Sequence, residues 1–369
     1  MTRKRSILTL ASVYIGTVIG AGFASGQEIL QFFGIYGVFG IMGVCVSTIL
    51  LSIIASNVLQ KVYKERINNF EEWGSLYFSR DVFKWINLLL AFLLLTGYFV
   101  MLAGSGAIFE EHFGISRLYG IILMNTICFM VITFGVEGIT RANNFIVPIL
   151  IIVIFIVAFF IIRKNQLIFS GLYNKTLLNI RKIGTNEMNS INIGWLWSAI
   201  VYTCHNSIGA IVAMASLRPF IYDEASARYG GYLGGLGLGV LAILILLTIL
   251  ILYTDIMGLE LPMVAAAHSL GNIVKKLYSG ILLLAMFTTA IANGHGSILR
   301  FSFITGINEV WIRILICFIS IPLATLGFKN LVSFSYPIFG YLGFIFILFV
   351  LLKREKKKIK RNFKTFREY

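Results

Sequence analysis

Charge is what this chain has least of. Asp, Glu, Lys and Arg make up only 13% of its 369 residues, against 58% hydrophobic ones, and the mean hydropathy is +0.87. A water-soluble fold of this length carries about twice that share of charge. The composition is that of an all-α polytopic membrane protein. Its apolar runs are too long and continuous for barrel strands, which alternate over about ten residues. Cysteine is scarce and scattered: Cys45, Cys128, Cys204 and Cys317 all fall inside apolar runs without metal-ligand spacing, which argues against a disulfide framework or a zinc site. G-x-S-x-G, H-E-x-x-H and C-x-x-C are absent, and His112, His205, His268 and His295 do not pair at ligand spacing on one helix; no catalytic residue, enzyme activity or organic cofactor is expected. The first apolar run has no small-residue cleavage site before its glycine-rich stretch and continues past it, so no cleavable signal peptide is read.

Acidic residues are the rarer sign. Lys and Arg number 31 against 16 Asp and Glu, a net charge of +15. Much of the excess sits in Arg3-Lys4-Arg5 and in the tail from Lys353 to Arg367. Basic flanks beside membrane spans mark the cytoplasmic side, and such a tail also meets anionic lipid. No nucleic-acid partner is implied.

At about 20 apolar residues per crossing, ten spans are read: 6–33, 36–62, 83–112, 116–135, 143–163, 191–216, 229–254, 273–300, 307–326 and 330–352. An even count with basic ends places both termini in the cytoplasm. Lys61, Lys64, Arg66, Arg80 and Lys84 after the second span agree with the positive-inside rule, and Glu110 and Glu111 mark the outer side. The long loop 164–190, with Lys164, Lys175, Arg181 and Lys182, runs against the rule. Residues 66–80 read as a short amphipathic cytoplasmic helix, and 255–271 as an outer helical cap. The whole of 1–352 is one transmembrane domain, followed by a basic cytoplasmic tail over 353–369.

Two places resist a uniform helix. The first span contains Gly20-Ala21-Gly22-Phe23-Ala24-Ser25-Gly26-Gln27-Glu28. Each glycine weakens a helix by roughly 1 kcal/mol, and non-helical backbone at membrane depth is tolerated only where protein or a wet cavity surrounds it. A break over 20–25 therefore points to a binding site. Ser25 and Glu28 have the S-x-x-E spacing of a capping box, which starts a second half-helix at Ser25. Glu28 is then a cap, a proton- or cation-coupling carboxylate, or both. The free N–H groups near Gly22 to Gly26 suit a carboxylate ligand. The sixth span holds the polar run Tyr202-Thr203-Cys204-His205-Asn206-Ser207, with Gly209 next, and reads as a second break; His205 is alternatively a satisfied bundle histidine.

Other residues leave two readings open. Tyr98 either meets a substrate or packs. Thr288 and Thr289 either bond back to carbonyls of their own helix or coordinate a small cation. The glycines from Gly230 to Gly239 have small-x-x-x-small spacing and read as helix packing.

The stretch Ile15-Gly16-Thr17-Val18-Ile19-Gly20-Ala21-Gly22, with Phe23 to Glu28 after it, resembles the YkvI-like membrane proteins of bacteria, members of the amino acid–polyamine–organocation superfamily. The resemblance implies a LeuT-like fold: ten helices as a 5+5 inverted repeat (about 6–163 and 191–352), helices 1 and 6 unwound at mid-membrane. It implies a secondary transporter, a sodium-coupled symporter of an amino acid or related small molecule. The expected substrate residues are Gly20, Gly22, Phe23, Ala24, Ser25, Gly26, Tyr98, Tyr202, Thr203, His205 and Asn206. The sodium ligands implied by motif alignment are Gly16, Ile19, Ala285, Thr288 and Thr289. Proton coupling through Glu28 or His205, and a ligand receptor that does not transport, stay open. No oligomeric state is implied.

Overall fold

The computed structural model describes residues 2–135, 137–165 and 188–352. Among them every regular element is helical. The helices are α1 (Arg3–Val18), α2 (Ala21–Ser25), α3 (Gln27–Phe32), α4 (Phe39–Lys64), α5 (Phe70–Tyr77), α6 (Arg80–Phe113), α7 (Arg117–Phe134), α8 (Glu137–Lys164), α9 (Met188–Met214), α10 (Glu224–Ile251), α11 (Tyr253–Ile256), α12 (Pro262–His268), α13 (Asn272–Thr305), α14 (Glu309–Ala324) and α15 (Phe328–Leu352). Eight described helices (α4, α6–α10, α13 and α15) are long and apolar enough to cross a membrane. α1 and α14 have 16 residues each, about 24 Å at 1.5 Å per residue, short of a roughly 30 Å hydrocarbon core. The expected tail over 353–369 and the loop residues Lys175, Arg181 and Lys182 lie outside the described residues.

Elements begin where the sequence provides caps. Asn69 accepts the Glu72 backbone N–H at 2.8 Å at the start of α5, with Glu71 and Glu72 in the positive first turn. That helix lies within the amphipathic 66–80 stretch, and its Trp73 is buried. Asp223 and Ser226 form a reciprocal capping box on α10, the Ser226 N–H reaching Asp223 Oδ1 at 2.7 Å. That backbone N–H, with Arg3 beside it, holds the exposed Asp223 carboxyl below the usual carboxylate range. The connection between α10 and α13 folds into the two short helices α11 and α12, the second opened by Pro262 at its first turn.

α10 is the helix around which others gather. Gly231, Gly235 and Gly239 lie against Ser56, Ser52 and Thr48 of α4, and Gly230 and Gly234 lie against Leu10 and Tyr14 of α1. The small-residue rows therefore serve two helix contacts at once, as expected where lipid gives helices no hydrophobic reason to associate.

Helix 1 breaks twice. α1 ends at Val18, and Ile19 (ψ 89°) and Gly20 (φ −99°, ψ −178°) leave the helical region before α2. Gly26 then turns the chain at φ +81°, a left-handed conformation that favours glycine, before α3. Residues 21–30 are all buried. The carbonyl of Ala24, freed at the end of α2, accepts the Tyr278 hydroxyl of α13 at 2.6 Å. The break is thus roofed by protein, as its depth demands.

Two expectations fail. The second half-helix does not start at Ser25 through a capping box: Ser25 Oγ donates to Gly22 O at 2.7 Å and accepts the Gln27 N–H at 3.2 Å, while Glu28 reaches another helix instead. Helix 6 is not unwound either. α9 runs unbroken through 202–207, and two of its polar side chains return their hydrogen bonds to the helix: Thr203 Oγ1 donates to Ala199 O at 2.8 Å and Asn206 Nδ2 to Tyr202 O at 3.2 Å. Cys204 is buried as a small apolar side chain.

Two substitutions test this architecture. A Cβ on Gly235 would fall within 2.6 Å of Ser52 Cα, so Gly235→Leu should lower the thermal unfolding midpoint of the detergent-solubilised protein, by roughly 1–3 kcal/mol of overpacking or more. Gly280→Leu, with nothing within 4 Å, should leave it unchanged. At the break, Gly26→Ala forces a side chain onto φ +81° and to 2.8 Å from Met263 Cγ, a cost on the order of 1–3 kcal/mol. Gly20→Ala, at negative φ with open space beside it, should melt like the parent chain.

Candidate functional site

One charged side chain is buried among the described residues: Glu28, 4% exposed. It stands in the first turn of α3, immediately past the left-handed Gly26, so the break itself sets its position. Its Oε1 accepts the Asn206 Nδ2–H of α9 at 2.9 Å. That bond ties the broken helix to a residue 178 positions away. The ion pairs among described residues lie at helix ends: Arg3 with Asp223, Lys64 and Arg228 with Glu224, and Arg117 with Glu110 and Glu260. None involves Glu28. Placing a carboxylate at such depth without a cation is expensive, which makes this position the leading functional candidate.

Aromatic side chains wall the carboxylate. The His205 ring stacks on Tyr336 of α15 with centroids 4.4 Å apart and planes 24° apart. Tyr202 packs edge-on against Phe33 at 4.9 Å and Phe32 at 5.4 Å, where α3 ends. The missing side chain of Gly22 lets two oxygens come close to the backbone: Tyr336 Oη lies 2.7 Å, and Glu28 Oε2 3.4 Å, from where its Cβ would stand. Open space adjoins Gly20 and Gly209, each with no atom within 4 Å of a built Cβ. His205 Nδ1 is sealed from solvent and has no hydrogen-bond partner among the described residues.

The expected substrate residues therefore divide. Gly22 and Asn206 meet Glu28, His205 stacks on the Tyr336 ring beside it, Gly26 sets its position, and Gly20 borders open space at the break. Phe23 and Ala24 are wholly buried packing residues of α2, and Ser25 is spent on its own turn. Tyr202 contributes a ring, whereas the Thr203 hydroxyl is returned to its own helix. Tyr98 is elsewhere. Its hydroxyl donates to Asn125 Oδ1 of α7 at 2.7 Å, and Asn125 Nδ2 donates to the Cys317 carbonyl of α14 at 3.3 Å; it joins α6, α7 and α14 and does not face the break.

Of the expected cation ligands, Thr288 Oγ1 donates to Ala285 O at 3.2 Å and Leu284 O at 3.3 Å. Thr289 is half-buried one residue on. Gly16 borders Val147 of α8, and the Ile19 N–H is bonded to Ile15 O at 2.8 Å. α2 packs against α13, which brings the break and the Thr288 helix side by side. Among the described residues no group of three His, Cys, Asp or Glu side chains is placed to hold a metal ion.

Sequence reasoning missed Tyr336, Tyr278 and Met263. Tyr336 lies between Ser335 and Pro337 within the last span, with Phe334 and Ser333 before them, a weaker signal than the polar run read in α9. Tyr278 and Met263 carry no local signal, because each acts only through a neighbour distant in sequence.

No protein-family model matches the chain. Among solved structures, its fold is similar to that of the Eremococcus coleocola manganese transporter, at a TM-score of 0.56 and 13% identity, over 95% of this chain and 79% of that one. At that identity the likeness is one of fold. In sequence it is similar to protein YyaD of Bacillus subtilis (strain 168), 24% identical over 341 residues, 92% of this chain and 94% of that protein. It is 30% identical over 359 residues to the membrane protein YkvI of the same strain, covering 96% of this chain and 98% of YkvI. Identity of that extent along nearly all of both chains shows common descent, and the protein belongs to the YkvI family of membrane proteins.

Proposed function

We propose that this protein is a secondary active transporter of a small organic solute, an amino acid or related compound, working by alternating access in a bacterial plasma membrane with both termini cytoplasmic. The observation that carries the reading is the double break of helix 1, which sets the buried Glu28 against Asn206 of α9. A globular membrane bundle has no packing need for a buried carboxylate, and broken helices with ionisable groups are how secondary transporters build their sites. The shared fold with a manganese transporter supports the class of activity and leaves the cargo open. In this reading the chain is a LeuT-like 5+5 inverted repeat of the amino acid–polyamine–organocation superfamily, with halves over about 6–163 and 191–352. Differential affinity of outward- and inward-facing states for the loaded site drives the cycle.

For coupling, the reading assigns sodium to the carbonyls of Gly16, Ile19 and Ala285 and the hydroxyls of Thr288 and Thr289. A hydroxyl that donates its proton to a carbonyl, as Thr288 does, keeps oxygen lone pairs for a hard cation. A second reading, proton coupling through Glu28 or His205, is favoured by the absence of any ion pair to Glu28 among the described residues and by the unpartnered His205 Nδ1.

Proteoliposome uptake tests the proposal. A solute identified by thermal shift should accumulate above its external concentration when a sodium gradient is imposed. In the Thr288→Ala/Thr289→Ala protein that stimulation should fall at least tenfold. Sodium stimulation unchanged in the double variant contradicts the ion site. Binding with no accumulation under any sodium or proton gradient contradicts transport itself and describes a receptor.

A further inference from the structure

We propose that the chamber beside the helix 1 break takes the ammonium group of an amine or zwitterion, with Glu28 as its counter-ion. The inference rests on the transport reading for the chamber's being a substrate site, and it changes the role of Glu28 from coupling residue to the group that selects cargo.

The charge balance points this way. The side chains at or against the break include Gln27 and Glu28 from α3, Tyr202, His205 and Asn206 from α9, Met263 from α12, Tyr278 from α13 and Tyr336 from α15. Among the described residues no lysine or arginine is buried, and Glu28 is the one buried carboxylate. One possible donor is already spent, the Tyr278 hydroxyl on Ala24 O at 2.6 Å. Acceptors are in surplus. Among the described residues Glu28 Oε2 has no hydrogen bond, and neither has the buried Gln27 Oε1, one residue earlier. A site with an unbalanced negative charge and spare acceptors is matched by a group with positive charge and donors only. An ammonium, with three N–H donors and no acceptor, is such a group.

The geometry gives it a place. Glu28 Oε2 and Tyr336 Oη both stand over the bare backbone of Gly22, 3.4 Å and 2.7 Å from the point where a Cβ would sit. A small donor group bound between these two oxygens would meet both, while Asn206 holds the other carboxylate oxygen in place. Other cargoes fit less well. A free carboxylate or phosphate would meet Glu28 at close range, and like charges at low dielectric repel strongly. A divalent metal ion seeks several hard or imidazole ligands, and the described residues bring no three carboxylate, histidine or cysteine side chains together.

The test uses full-length purified protein and matched probes: n-propylamine, the twenty common amino acids, propionate and manganese chloride. Thermal shift reports binding, and proteoliposome uptake is measured for each solute that binds. The expected result is a shift with one or more ammonium-bearing solutes and none with propionate. In Glu28→Gln, which keeps the acceptor for Asn206, affinity for those solutes should fall at least a hundredfold, and Glu28→Asp should recover part of it. Tyr336→Phe, a milder change should Glu28→Gln fold poorly, should weaken binding about fivefold. No shift with any ammonium-bearing solute overturns the proposal, as does a shift whose size is unaffected by Glu28→Gln and Tyr336→Phe. A Glu28-dependent manganese shift in place of an amine shift also overturns it, and so does uptake of propionate that is independent of Glu28; in both cases the transport reading stands. Glu28-dependent ammonium binding without any uptake supports the proposal and removes the transport reading.

Discussion

Backbone hydrogen bonding in a medium without water is the constraint from which the rest of this structure follows. A helix that breaks at membrane depth strands carbonyl and N–H groups, each costly unless a partner is provided. Helix 1 breaks at Ile19–Gly20 and again at Gly26, and the surrounding bundle is arranged to receive those groups. Tyr278 of α13 supplies a hydroxyl to Ala24 O, Ser25 serves its own turn, and Met263 closes over Gly26. Close approach by neighbouring helices is what makes this possible, and the glycine rows of α10 supply that closeness against α1 and α4. Packing and break are therefore one design: small residues draw the helices in, and the drawn-in helices tolerate irregular backbone.

The carboxylate is the second consequence. Gly26, by turning the chain in the left-handed region, restarts the helix with Glu28 in its first turn, facing α9 and not the lipid. A cap would have been a sufficient reason for a glutamate at that position. The structure spends it differently, on Asn206, and leaves its second oxygen beside Gly22 and the Tyr336 hydroxyl. An uncompensated carboxylate is a standing cost, and its natural explanation is a ligand that neutralises it during part of a cycle.

Much of this was legible in the residue types, and what escaped has definite physical reasons. Three glycines in seven residues announced the break because their helix-weakening effects fall within two turns. The amphipathic 66–80 segment and the Pro262 cap were legible because capping and periodicity are local. The polar run of α9 misled because Thr203 and Asn206 return their hydrogen bonds to carbonyls four residues back, which leaves the helix whole. Polarity in a membrane helix thus signals a face, not necessarily a break. Tyr98 misled for a related reason: its partner Asn125 is 27 residues away, and no pattern in the sequence announces such a pairing. Tyr336 went unread because a tyrosine beside a proline in an apolar span looks like packing until the His205 ring is found against it.

The central claim is that the break of helix 1 borders a solute chamber reached from both sides of the membrane in turn. Gly20 offers the most direct test, because a side chain there meets nothing within 4 Å. A Gly20→Cys protein whose four native cysteines have been replaced can be exposed to a membrane-impermeant thiol reagent from either face of sealed, oriented proteoliposomes. The account predicts labelling from each side, slowed by a bound solute. A cysteine at this position that reacts from neither side, or from one side alone under every condition of solute and ion, would contradict it.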